Sequence, residues 1–173
     1  MASFPRAPGL AVDFERILSP ECTISSLAAS SKKRALEKAG ALLASRFPEL
    51  DSDEVFGGLM ARERLGSTAV GEGVAVPHCR IENCSTPVAA LVRLSEQVDF
   101  DASDGTPVDL LFILVVPLEA HDTHLQLLAS MARALNEPDY RAALRAAQGD
   151  LDLFQAAIYS LPKGARDRGA ATA

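Results

Sequence analysis

The chain has 173 residues, 48% of them apolar and 23% charged, with a net charge of −6. That is enough apolar material for one well-buried core and too little for two. The acidic balance argues against nucleic acid or an anionic membrane as the main ligand, since both demand a basic face.

The first residues, "MASFPRAPGLAVDF", lack a basic region followed by a continuous apolar core, so they do not read as a secretory signal. Residues 1–11 carry prolines without a clear period and are expected to be a flexible lead-in to one domain over 12–161. "CTISSL" (22–27) reads as a short strand. In "SSKKRALEKAGALLASRF" the residues Leu36, Ala39, Leu43 and Phe47 recur at helical spacing, with serine at the start and Pro48 as the stop. A second helix starts at Asp51, three residues before Glu54, and closes at Gly66. Gly57 and Gly58 weaken it internally.

From Ser67 the period changes. "STAV" and "VAV" are short β-type runs joined by the turn composition "GEG". "PVAALVRL" (87–94) alternates like a strand. "VDLLFILVVP" (108–117) is apolar on both faces and reads as the most buried strand. Its core, "LLFILVV" at 110–116, is the longest apolar run and far short of the roughly 20 residues that span a bilayer, so no membrane insertion is expected. "THLQLLASMARAL" (123–135) is the clearest amphipathic helix, and Thr123 with Gln126 fits a capping box. Helices over 138–147 and 150–161 follow, with Gly149 between them. The tail, 162–173, is expected to be flexible. Strands interleaved with helices indicate a single α/β domain, a mixed β-sheet flanked by α-helices.

Three places carry possible chemistry. Pro77 lacks an N–H and holds Val76 extended, so strand pairing should end there and His78 should emerge where the strand leaves the sheet. Gly71 and Gly73 permit sharp turning on the approach. His78 either presents a ring nitrogen to a partner or simply bonds a carbonyl at the start of a loop. His124 falls in the first turn of a helix that follows the most buried strand, where the helix dipole favours a neutral imidazole and free amides favour anions. His121, just before that helix, reads as an exposed loop histidine. Arg62, near a helix C-terminus, either offsets the dipole or forks onto phosphate oxygens. Glu96, Asp99 and Asp101 read as a solvated loop.

The three cysteines, Cys22, Cys79 and Cys84, are an odd number without framework spacing, consistent with reduced thiols in a cytoplasmic protein. Cys79 allows two readings. An exposed thiol near Arg62 would be acidified and oxidisable, whereas one packed beneath the site would be inert.

The run "ERLGSTAVGEGVAVPHC" resembles the active-site signature of phosphotransferase-system IIA domains of the fructose/mannitol/nitrogen-regulatory type. Glu63, Val70, Gly71, Val74, Ala75, Val76, Pro77, His78 and Cys79 fill its defined positions, the last being more often glycine. "ILSPECTISSLAASSKKRALEKAGALLA" and "HLQLLASMARAL" extend the resemblance, over roughly 12–160, to the nitrogen-regulatory branch. The resemblance implies that His78 accepts a phosphoryl group on its ring nitrogen remote from the backbone. The donor would be an HPr/NPr-like phosphocarrier protein, with Arg62 and His124 stabilising the phosphate and with no cofactor. It further implies regulatory targets, among them potassium transporters and sensor kinases, chosen by phosphorylation state. Two rival readings are a binding module of the same fold that never carries phosphate, and a metal site built on His78, Cys79, Cys84 and a distant histidine.

Overall fold

The computed structural model describes residues 14–160. The two ends expected to be flexible lie outside the described residues. The helices are α1 (Phe14–Ile17), α2 (Lys32–Arg46), α3 (Ser52–Leu65), α4 (His121–Leu135), α5 (Pro138–Ala146) and α6 (Asp150–Tyr159). The strands are β1 (Leu18–Leu27), β2 (Ala69–Gly71), β3 (Val74–Ala75), β4 (His78–Ile81), β5 (Val88–Val98) and β6 (Val108–Pro117).

One mixed sheet runs in the order β1-β5-β6-β3-β2, with β4 also on β6. β6 pairs antiparallel with β5 on one side and parallel with β3 and β4 on the other. This central place explains its apolar run. Leu110, Phe112, Leu114 and Val116 pack towards Met131, Leu135, Tyr140, Leu144 and Leu153 of α4, α5 and α6. Leu111, Ile113 and Val115 pack the other way, towards Leu36, Leu43, Val55 and Leu59 of α2 and α3. Each buried leucine contributes roughly 1.5–3 kcal/mol, so both faces of the sheet are anchored.

The expected caps of the first two long helices form. The Ser31 side chain accepts from the Arg34 amide at 3.1 Å, and Asp51 accepts from the Glu54 amide at 2.9 Å. The boundary at α4 differs from the sequence expectation. The helix begins at His121 with Ala120 as its N-cap, so Thr123 lies inside it and does not cap it. β1 and β5 are longer than expected, and Glu96 belongs to β5 instead of a loop. Of the remaining acids, Asp101 pairs with Lys32 at 2.6 Å.

Pro77 does not end pairing, which corrects the expectation that His78 leaves the sheet. Val74 lies opposite Leu110, Ala75 opposite Leu111, His78 opposite Leu114 and Cys79 opposite Val115, a constant register on β6. The Pro77 carbonyl still accepts from the Leu114 amide at 2.9 Å. Proline lacks only the donor, so β3 and β4 act as one interrupted strand. Strand alternation then puts His78 and Arg80 on the α4 face, and Cys79 and Ile81 in the core against α3.

The diglycine in α3 has a packing reason at one of its two positions. A Cβ on Gly58 would sit 3.0 Å from Cys79 Cβ and 3.2 Å from its Sγ, while one on Gly57 would meet open space. The missing side chain lets the helix lie directly on β4. Gly58→Ala in the wild-type background should therefore cost about 1–2 kcal/mol through overpacking, despite alanine's better helix propensity. In a Cys79→Gly background the same substitution should be stabilising. Denaturant unfolding of the four proteins checks this sign reversal.

Candidate functional site

The approach to His78 is a rigid turn. Gly71, Glu72 and Gly73 all have positive φ, at 93°, 57° and 77°. Glycine adopts this region freely, whereas Glu72 is strained there and is held from both sides. Its amide donates to Asp104 Oδ2 at 2.9 Å, and its carbonyl accepts from Arg145 Nη2 at 2.6 Å. Arg145 is in turn fixed by Asp109 of β6 at 2.9 Å. A Cβ on Gly73 would be strained by its φ of 77° and would fall 2.7 Å from Arg145 Nη2, displacing the arginine that holds the turn.

His78 begins β4 at the edge of the sheet, half-buried. Its Nδ1 lies 2.8 Å from the Val76 carbonyl, which can only accept, so Nδ1 carries a proton. On the other side Arg62 Nε, which can only donate, lies 3.2 Å from Nε2. The two bonds define one neutral tautomer, with the lone pair on Nε2. Burial, aided by the Arg62 charge, pulls the His78 pKa below its ordinary value, while the Val76 bond and the Glu63 charge oppose. Both sequence readings of His78 are thus realised: one nitrogen bonds a carbonyl, and that bond presents the other.

Arg62 reaches the site from the last turn of α3. Its Nη1 donates to the Gly66 carbonyl at 2.9 Å, so one end of the guanidinium serves the helix terminus while Nε faces His78. His124 stands across from His78, with ring centroids 5.1 Å apart and planes at 73°. Its amide already bonds the Ala120 carbonyl, which places it just past the free amides of the first turn. Among the described residues its Nε2 is buried without a hydrogen-bond partner. Burial, then the charges of His78, Arg80, His121 and Arg62, pushes its pKa down to about 4.

The structure therefore brings Arg62, His78 and His124 together. It separates His78 from Cys79, which faces the core at 6% exposure with its pKa pushed up to about 12 by burial. That removes the acidified, oxidisable reading of this thiol, since a buried thiol far from its thiolate form is inert. Among the described residues no three histidine, cysteine or acidic side chains cluster as a metal would need.

Sequence reasoning missed two neighbours. Arg80 follows His78 by two strand positions and shares its face, a periodicity that was available to find it. His121, expected in a loop, lies in the first turn of α4, and its Nδ1 accepts from Arg80 Nη1 at 2.5 Å. Leu65, Leu118 and Leu125, near Arg62, the end of β6 and His124 in the chain, are exposed.

Residues 16–158 match the family described as phosphoenolpyruvate-dependent sugar phosphotransferase system, EIIA 2. A nitrogen regulatory protein of Pseudomonas aeruginosa is 44% identical over 147 residues, covering 85% of this chain and 96% of its own. One from Escherichia coli is 41% identical over 140 residues, covering 80% and 85%. The crystal structure of nitrogen regulatory protein IIA-Ntr from Neisseria meningitidis superposes with a TM-score of 0.76 at 37% identity, over 82% of this chain and 97% of that one. IIA mannitol from Escherichia coli shares the fold, at a TM-score of 0.66 and 20% identity, over 80% and 97% of the two chains.

The lowered histidine pKa values have a consequence for stability. His124 binds a proton near pH 6.5 when unfolded and only near 4 when folded. Between those values the unfolded state holds more protons, so stability should fall as pH drops from about 6.5 towards 4. His124→Gln should flatten that slope in denaturant melts, and an unchanged slope would assign the pH dependence elsewhere.

Proposed function

The chain belongs to the phosphotransferase-system EIIA 2 family, in its nitrogen-regulatory branch, and from that premise we propose that it is a phosphohistidine carrier with His78 as its acceptor. The family's general activity is phosphotransfer. The observation that carries the residue assignment is the presentation of an unprotonated Nε2 on His78 beside Arg62, with the unpartnered Nε2 of His124 across from it.

The donor is a histidine-phosphorylated protein of the HPr/NPr type. As the donor docks, Arg62 Nε–H leaves His78 Nε2 for a phosphoryl oxygen; the freed Nε2 lone pair attacks phosphorus, the donor's P–N bond breaks, and its electron pair returns to the donor imidazole. Nδ1–H keeps its proton, and the Val76 carbonyl stabilises the positive charge that develops on the ring. Arg62 disperses charge on the phosphoryl oxygens, and His124 in its Nε2–H form donates to them. Burial keeps both rings neutral near pH 7, as a nucleophile and a neutral donor require. Such transfer rests on in-line placement and charge stabilisation. The exposed Leu65, Leu118 and Leu125 supply apolar surface for the donor to dock on.

We assign the downstream role to regulation by phosphorylation state. A phosphoryl group beside Arg62 adds nearly two negative charges to a surface that otherwise presents Arg62 and Arg80. That change switches affinity for target proteins, with potassium transporters and sensor kinases as candidates. Among the described residues no helix is long and apolar enough to cross a membrane, which fits a place in the cytoplasm alongside the carrier.

Incubation with phosphoenolpyruvate, the first enzyme and the carrier, followed by intact mass, should show one acid-labile, base-stable phosphoryl group. His78→Ala should abolish it while cooperative unfolding is retained. A fully phosphorylated His78→Ala protein would overturn the assignment, and a wild-type protein that never gains phosphate would favour the pure binding module. Arg62→Ala should slow transfer by roughly 10²-fold or more. Arg62→Lys should recover only part of the rate, because lysine lacks the planar fork.

A further inference from the structure

Glu63 is an acid in the last turn of α3, the end of a helix that disfavours negative charge. Its side chain is also 2% exposed. Burying a carboxylate there costs stability unless every lone pair is used, and a well-packed apolar residue would serve stability as well or better. The position therefore needs another explanation.

Its two shorter side-chain bonds both go to Thr68, in the segment that leads to His78. Oε1 accepts from the Thr68 amide at 3.1 Å, and Oε2 accepts from Thr68 Oγ1 at 2.6 Å. Lys32 Nζ approaches Oε1 at 3.5 Å and is itself held by Asp101. The Thr68 carbonyl accepts from the Val76 amide at 2.9 Å. The Val76 carbonyl accepts from His78 Nδ1. Val76 is thus gripped at both its N–H and its C=O. The grip stands where the β2–β3 pairing ends, so nothing in that ladder continues beside His78.

We infer that Glu63 is a positioning residue for His78: through Thr68 and Val76 its carboxylate fixes the carbonyl that holds the Nδ1 proton, and so keeps Nε2 free to act. The inference rests on the reading of His78 as acceptor for its purpose, but its geometry is independent of any transfer. Without the carboxylate the pair of acceptors that holds the Thr68 amide and hydroxyl is lost, Thr68 moves and carries Val76 with it, and the ring proton redistributes between the two nitrogens. The charged groups that face His78 are Arg62 and Glu63 from α3, with His124 from α4. The Glu63 charge raises the His78 pKa, so removing it should also lower that value.

The test uses the full chain with Glu63→Gln and Thr68→Val. Each is examined by ring-nitrogen NMR of His78 across pH without any partner protein, by thermal unfolding, and by single-turnover transfer from a phosphorylated carrier. Glu63→Gln should mix the two tautomers, lower the His78 pKa and slow transfer by roughly 10- to 100-fold through misplacement of the nucleophile. Thr68→Val keeps the charge and the backbone bond, so it should perturb the tautomer less and leave the pKa nearly unchanged. A Glu63→Gln protein with wild-type His78 tautomer and titration overturns the inference, whatever its melting temperature. Should Glu63→Gln fail to fold, Thr68→Val decides by the same spectra, and wild-type tautomer and rate there overturn it. Failure of the wild-type protein to accept phosphate would instead count against the acceptor reading, while the spectra still decide the positioning.

Discussion

The whole site depends on one hydrogen bond, from His78 Nδ1 to the Val76 carbonyl. It runs from the first residue of β4 back into the gap between β3 and β4, so the ring proposed to react is oriented by its own backbone. The bond selects the tautomer, and the tautomer decides which nitrogen has a lone pair. Arg62 can approach Nε2 because that nitrogen is an acceptor. Were the proton on Nε2, the guanidinium would face a donor and the pair would repel. The rest of the architecture fixes the position of that carbonyl. The strained turn at Gly71–Gly73, the arginine that clamps it and the interrupted strand on β6 all bear on the same few atoms.

Pro77 has a different role from the one its chemistry first suggests. Its missing donor opens a gap between β3 and β4 without altering their register on β6. The gap frees the backbone locally for the ring-to-carbonyl bond, while the continuing ladder keeps His78 on the α4 face. Cys79 then falls on the opposite face by strand alternation alone. Its sulfur fills the space that Gly58 leaves open in α3. Reactivity and packing are thereby assigned to adjacent residues on opposite faces of one strand.

Much of this was legible in the sequence because it is local. Ser31 and Asp51 as caps, the doubly apolar β6 and the family motif around His78 each need only a few neighbouring residues to be read. The errors were at points where a distant element decides. Thr123 and Gln126 have capping chemistry, yet the helix starts earlier, at His121, whose ring meets Arg80 on another element. The exposure of Cys79 depends on a glycine 21 positions earlier in the chain. The role of Glu63 depends on Thr68 and on the pairing of Thr68 with Val76, which no local pattern announces. His121 reads as a loop residue in the sequence because its partner, Arg80, lies on another element.

Long-range nitrogen–proton correlation of the histidine rings tests the central claim most directly. In the unphosphorylated wild-type protein near pH 7, His78 should show a protonated Nδ1 and an unprotonated Nε2, and after phosphorylation the phosphorus should couple to Nε2. A His78 ring protonated on Nε2, or a phosphorus coupled to Nδ1, would contradict the claim that the Val76 carbonyl chooses the nucleophile.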